Sequence, residues 1–181
     1  MGPILFLLYI NDLTDLNILG KFTLFADDTT LLWHCPDIVS LIEAMTADLR
    51  IIYQWFSSNL LSLNTQKTKL MSFRCVLNTI FVADLPVESV EQAKFLGLVI
   101  DRNLKFGKHI IALCQKLSSG NYAVRVATQE LGAGFGKTVY FALVESHLRY
   151  GICFWGTASN SRMQTLQEQS ILSFIHVVHY L

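Results

Sequence analysis

Two adjacent carboxylates, Asp27 and Asp28, stand between two short apolar runs, Phe22-Thr23-Leu24-Phe25 before them and Leu31-Leu32-Trp33 after. β-Branched, aromatic and aliphatic residues on both sides of a polar break read as strand, tight turn, strand. Asp suits such a turn, because its side chain bonds nearby backbone and tolerates unusual dihedrals. A hairpin that projects two carboxylates can hold a divalent cation. Hard cations such as Mg²⁺ take oxygen ligands and use one or two protein carboxylates together with substrate phosphates. The same four residues also describe an ordinary solvated turn, so the pair acquires meaning only from what surrounds it.

The surrounding pattern is mixed. Pro3 to Leu13 reads as a helix, with Pro at a permitted first-turn position. Gly20 breaks toward the hairpin. From Asp37 to Leu60 the apolar residues Ile38, Leu41, Ile42, Met45, Leu49, Ile52, Tyr53 and Phe56 keep helical spacing, with Asp37 as N-cap. That helix is expected to cross the sheet bearing the hairpin. Lys69 to Phe73, Thr79 to Val82 and Phe95 to Ile100 read as strands, with Pro86 in turn material. After Asn103 the pattern is helical: 105–117, extending past Gly120 toward Leu131, then 137–150 and 162–180. Strands first and helices after predict an α+β chain with a boundary near residue 103.

Composition narrows the class. Of 181 residues, 52% are hydrophobic and only 15% charged, against roughly 25% charged in an ordinary soluble domain. Faces meant to meet further elements would give this balance. No run reaches the ~18 apolar residues of a membrane span, and no secretory leader is visible. Cys35, Cys75, Cys114 and Cys153 include no Cys-x-x-Cys pair, which fits buried thiols in an intracellular chain. His176 and His179, three apart on a helix, lack an evident third metal ligand. The net charge is zero, but residues 1–60 hold two basic and seven acidic residues, while 61–181 hold twelve basic and seven acidic. A basic rear suits phosphates; it is equally an uneven surface charge.

Gly132 to Thr138 invites a phosphate-loop reading. That loop needs four residues between its first Gly and Gly-Lys-Thr, and Gly132 to Gly136 leaves three. These glycines are expected to end one helix and start another.

The remaining motifs form an ordered series: Gly2-Pro3-Ile4-Leu5-Phe6-Leu7-Leu8-Tyr9-Ile10-Asn11-Asp12-Leu13; the Asp27-Asp28 hairpin; Trp55 to Leu60; Leu63-Asn64 and Lys67-Thr68; Lys94-Phe95-Leu96-Gly97 with Ile100-Asp101; His109-Ile110; Tyr150-Gly151; Trp155-Gly156. In this order it resembles the reverse transcriptase of non-LTR (LINE-type, jockey-like) retrotransposons, over nearly the whole chain. Phe106 stands where that family often has Trp, and Gln167-Glu168-Gln169-Ser170 where it is commonly basic.

The resemblance implies an RNA-directed DNA polymerase working with Mg²⁺, an RNA template, a DNA primer and dNTP. It implies a partial polymerase palm over 1–103, an antiparallel sheet with packed helices carrying the Asp-Asp hairpin and a primer-grip-like hairpin. A helical thumb-like region over 104–181 would follow. Asp27, the principal ligand, and Asp28 would be catalytic metal ligands, and small Ala26 would admit the primer end. Lys67 would donate a proton to the leaving pyrophosphate, unless it is a plain loop lysine. Lys94, Phe95, Leu96 and Gly97 would grip the primer, unless they form an ordinary edge hairpin. Polymerases of this kind place a first catalytic aspartate, then Pro-Gln-Gly-Ser, ahead of the Gly-Pro. Here Met1 directly precedes Gly2-Pro3, so the fingers and first aspartate have no counterpart, and these residues alone are expected to be inactive. The alternative expectation is a remnant that binds RNA or a protein without catalysis.

Overall fold

The computed structural model describes residues 2–64, 66–73, 79–82, 85–158, 163–164 and 166–168. They divide into two compact units, Met1–Val90 and Glu91–Leu181. The fold is mixed: helices plus three two-stranded antiparallel sheets.

In the first unit, helix α1 (Gly2–Ile10) opens with Pro3 in its first turn and tightens into a 3₁₀ turn, Asn11–Asp15. Strand β1 (Lys21–Phe25) pairs with β2 (Asp28–Leu32) from Lys21↔Leu32 to Phe25↔Asp28. Helix α2 (Ile38–Ser58) starts at Asp37, whose carboxylate accepts from Ser40 N at 2.9 Å and Ser40 Oγ at 2.6 Å. Those bonds hold the Asp37 carboxyl below its ordinary range. The spacing read from sequence is a helix, but its stripe is only partly covered. Met45, Leu49 and Ile52 are buried, whereas Ile38, Ile42 and Tyr53 are exposed. Ile52 joins Ile10 and Leu13 in one core, with Phe22, Leu24 and Leu31 of the hairpin packed against it. Helix α2 therefore does lie against the Asp-Asp hairpin. Met45 and Leu49 form a second core with Leu70 and Val87.

Two strand readings need correction. Lys69 to Phe73 is no ladder strand: it makes a single parallel bridge, Leu70↔Ser89. Pro86 is not in a turn but inside β4 (Leu85–Glu88), opposite Phe81 of β3 (Thr79–Val82). A two-stranded ribbon has two edges, and Pro is tolerated where no ladder donor is required. The described strands pair only within their hairpins and do not join into one sheet.

In the second unit, β5 (Gln92–Phe95) and β6 (Leu98–Asp101) form a hairpin whose register runs from Gln92↔Asp101 to Phe95↔Leu98. This hairpin falls in the same unit as the helices that follow, and the sequence boundary near 103 lies inside that unit. Helix α3 (Gly107–Leu131) runs straight through Gly120. A Cβ there would meet Val144 Cγ2 at 3.1 Å and the Leu143 carbonyl oxygen at 3.2 Å. Glycine thus allows two helical segments to approach closely, which outweighs its low helix propensity. At Gly132, φ is +91° and α3 ends, as its glycine predicts. Helix α4 (Ala133–Tyr140) continues through a π-helical turn, Phe141–Glu145, into α5 (Ser146–Arg149), followed by α6 (Ile152–Trp155). Leu98, Phe106, Ile110, Leu117, Val144 and Trp155 are among the buried core residues.

Cys114 and Cys35 are half-buried and Cys153 is exposed, so these three thiols are not the fully buried ones expected. Burial raises the Cys114 pKa. Most of the expected helix over 162–180, with His176 and His179, lies outside the described residues, as does Cys75. Among the described residues no helix is long and apolar enough to cross a membrane.

Candidate functional site

The two strands β1 and β2 are joined by a loop of two residues, Ala26 and Asp27. Such short loops demand positive φ in their first central position, where Gly or Asn is favoured. Ala26 adopts it, at φ +52°. For an L-residue with a Cβ this conformation costs roughly 1–2 kcal/mol. Asp27 stands at the tip and Asp28 is the first residue of β2; both side chains are exposed, as is Ala26.

A residue not singled out from the sequence holds this hairpin at its base. Asp48, on α2, is buried. Its carboxylate accepts from Leu19 N at 3.2 Å, Gly20 N at 2.8 Å and Trp33 Nε1 at 2.7 Å. Leu19 and Gly20 precede β1 and Trp33 follows β2, so one carboxylate ties both strand ends to α2. A Cβ on Gly20 would lie 2.6 Å from Trp33 Nε1, so only glycine lets the indole reach Asp48. The signal was present: an acid at the fourth position after Ala44, in line with the buried stripe of α2, cannot stay buried without donors.

Lys67 lies in a turn built by Asn64. The Asn64 side chain accepts from Lys67 N at 3.1 Å, and its carbonyl accepts from Thr68 N at 3.0 Å and Thr68 Oγ1 at 2.8 Å. The Lys67 side chain is exposed. Tyr9 OH, from α1, donates to the Asn59 carbonyl, and Asn59 Nδ2 donates to Trp55 O at 2.9 Å. These contacts account for several motifs of the series as bracing of the first unit.

The second hairpin is also closed by a two-residue loop. Its loop is Leu96-Gly97, with φ +44° and +85°. Two positive φ values are the signature of a type I′ turn. The Tyr150 hydroxyl donates to the Leu96 carbonyl, and a Cβ on Gly97 would sit 3.3 Å from the Tyr150 ring. Gly151, at φ +65°, leaves room for Leu98, whose Cδ2 would be 2.8 Å from a Cβ there. Trp155 Nε1 donates to Tyr150 O at 2.9 Å, and its ring lies 6.2 Å from His109. Asp101 accepts from Asn103 N at 3.1 Å, Lys105 N at 3.1 Å and Phe106 N at 2.6 Å, fixing the entry to α3. Lys94 is exposed and Phe95 half-buried. Of these motifs Tyr150 contacts the Leu96-Gly97 turn itself, while His109 and Gly151 meet Val99 and Leu98 of β6.

Asp27 and Asp28 are hard oxygen donors of the kind Mg²⁺ accepts. No group of three or more His, Cys, Asp or Glu side chains able to hold a metal occurs among the described residues. Two adjacent carboxylates could supply at most part of the shell such an ion requires.

No family model matches the chain, and no solved structure matches it. Three curated proteins do. One is the probable RNA-directed DNA polymerase from transposon X-element of Drosophila melanogaster, 24% identical over 177 residues, covering 92% of this chain and 20% of that protein. The corresponding polymerase from transposon BS of the same species is 26% identical over 200 residues, covering 99% and 22%. The RNA-directed DNA polymerase from mobile element jockey of Drosophila funebris is 23% identical over 186 residues, covering 92% and 20%. The chain spans about a fifth of the length of these relatives. Its likeness to transposon reverse transcriptases extends over nearly all of its own residues.

Proposed function

We propose that this chain is part of a retrotransposon RNA-directed DNA polymerase, contributing a section of the palm with two metal-binding carboxylates, followed by thumb-like helices. The carrying observation is the pair of exposed acids at the tip of a hairpin tied at its base by Asp48. Metal ligands must be borne on a positioned element, and the base of this hairpin is positioned. The similarity to three transposon polymerases supplies the reaction class.

In this reading Asp27 and Asp28 hold Mg²⁺. Held by these two carboxylates, the ion would supply charge neutralisation for attack of a primer 3′-hydroxyl on the α-phosphate of a dNTP, with pyrophosphate leaving. The protein's own part is positioning and electrostatics. Ala26, with only a methyl group, leaves room beside the acids for the primer end. Lys67 brings a cation, and a transferable proton, to the leaving pyrophosphate. The Lys94–Gly97 hairpin, clamped by Tyr150, grips the primer strand.

The test is primer extension on an RNA template by a polymerase in which this chain replaces the matching segment of the X-element relative. Asp27→Ala should lower incorporation by at least about a hundredfold, the scale of losing a principal electrostatic group. Incorporation indifferent to Asp27→Ala would refute the assignment. Two carboxylates are fewer than two-metal transfer requires, so the 181 residues alone should not extend a primer with Mg²⁺ or Mn²⁺. Asp27-dependent incorporation by them would contradict that.

A second reading is favoured by one observation, the excess of twelve basic over seven acidic residues after residue 60. A remnant that binds RNA through phosphate contacts would show salt-dependent binding that survives Asp27→Ala with Asp28→Ala.

A further inference from the structure

Phe95 and Leu98 close the Leu96-Gly97 turn as its first and fourth residues, where the carbonyl of the first meets the N–H of the fourth. In an antiparallel ladder the next pair, Lys94↔Val99, is then of the kind that exchanges no bonds, and the Val99 N–H points outward from the edge of β6. What it meets is a side chain. Val99 N donates to His109 Nδ1 at 3.4 Å, from the first turn of α3. A backbone N–H can only donate, so Nδ1 carries the lone pair and the proton of the neutral ring sits on Nε2. His109 is 9% exposed, and its ring lies 6.2 Å from that of Trp155 on α6. Its Nε2 has no hydrogen-bond partner among the described residues.

A second proton would go to Nδ1 and set one N–H against another at the Val99 edge. The charged ring would also lack a counter-ion. The side chains that line a cavity together with His109 include Lys116 of α3, His147 of α5 and Tyr150, and no acid. Glu145, in the helical segment that bears His147, pairs with Arg149 at 2.6 Å. Asp101 of β6 is occupied by three backbone N–H groups at the entry to α3. Lys94, opposite Val99, adds a further cation on the β5 side. Burial, and secondarily the Lys116 charge, accordingly hold the His109 pKa below 6.5.

We propose that His109 is a positioning residue for the Lys94–Gly97 hairpin, holding the strand residue opposite Lys94 through its Nδ1 lone pair and releasing it when the ring is protonated. That a primer strand lies on this hairpin rests on the function proposed above. The latch itself rests only on contacts within the second unit.

The first measurement follows amide exchange and the His109 ring by ¹⁵N–¹H spectra of the full 181-residue chain, from about pH 7.5 to about pH 5, which spans histidine titration. At the upper end His109 should carry its proton on Nε2 and the Val99 amide should be protected. As pH falls below 6.5, protection factors at Leu98 and Val99 should drop about tenfold more than those of Leu117 and Val124 in the α3 core, the scale of one lost hydrogen bond. His109→Gln, whose amide oxygen can still accept from Val99, should keep the protection and lose its pH dependence. His109→Leu should lack it at every pH, and where that variant does not fold the parent and His109→Gln supply the comparison. A proton on Nδ1 at neutral pH, Val99 protection indifferent to pH, an equal loss at Leu117 and Val124, or the parent's pH dependence in His109→Gln would overturn the proposal. The second measurement is the primer KM of the hybrid polymerase described above. His109→Leu should raise it about tenfold, more than it lowers kcat, and His109→Gln should restore it. A primer KM that does not move while Val99 behaves as expected would leave the latch standing and remove the primer from this hairpin.

Discussion

Ala26 and Leu96 hold equivalent positions in two hairpins, and both take a positive φ, +52° and +44°. Neither residue type favours it, because the Cβ crowds the backbone. A strained residue beside a proposed site is the usual sign that the surroundings over-determine the backbone there. Leu96→Asn should raise stability by about 0.5–1 kcal/mol, since Asn is at home in the first position of a type I′ turn. Ala26→Gly should stabilise by a similar amount; a urea midpoint that falls would contradict the turn assignment. His109 supplies a pH dependence. Its pKa is lowered from 6.5 by burial first and by Lys116 second. The unfolded chain then binds the proton more tightly than the folded one, so this contribution is complete above about pH 6.5 and is lost as pH falls below it. Midpoints measured from pH 7.5 to pH 5 should decline, and decline less in His109→Gln. The acids at 27 and 28 were legible from residue types alone. The strain at Ala26 was not, because alanine carries no turn signal, and the Asp48 network joins residues 15 to 29 positions apart.

Among the elements, α2 was the most legible: its apolar spacing and Asp37 cap predict Ile38–Ser58 closely. Long, capped, periodic segments carry their own signal. Short strands do not. Leu85–Glu88 contains Pro86 yet pairs with β3, and Lys69–Phe73 looks like a strand yet makes one bridge, because ladder formation depends on a partner far along the chain. The element on which the proposed function depends is the hairpin with its helix. Removing Asp48 would leave two backbone N–H groups and an indole N–H without their acceptor. Asp48→Ala should cost about 2–3 kcal/mol, the range for orphaning donors of a charge-assisted network. Asp48→Asn keeps one acceptor and should cost less. Equal stability of Asp48→Ala and the parent would show that the carboxylate does not anchor the hairpin.

Taken as a whole molecule, the chain leaves much apolar surface uncovered. On α1, Ile4, Leu5 and Leu8 are 68%, 59% and 70% exposed. The high apolar and low charged fractions predicted such surfaces, but not where they would lie. Exposed apolar patches of this kind bind hydrophobic dyes and promote association. Leu5→Ser with Leu8→Ser should reduce dye fluorescence and association, with little change in the urea midpoint because those side chains are not in a core. An unchanged dye signal would place the uncovered surface elsewhere. The order of motifs along the chain carried the polymerase resemblance, and the structure adds local contacts for several of them: Tyr9 with Asn59, Asn64 with Thr68, Asp101 with Phe106 and Tyr150 with Leu96.

Asp27 and Asp28, at the tip of the hairpin whose base is tied to α2 by Asp48, are proposed as divalent-metal ligands. The most direct test of that proposal is a Mn²⁺ titration followed by paramagnetic broadening of backbone amides, in the parent chain and in Asp27→Asn with Asp28→Asn. The amides of residues 26–28 should broaden first at low Mn²⁺, and the double variant should lose that selectivity. Broadening that begins elsewhere, or that is the same in the variant, would contradict the account.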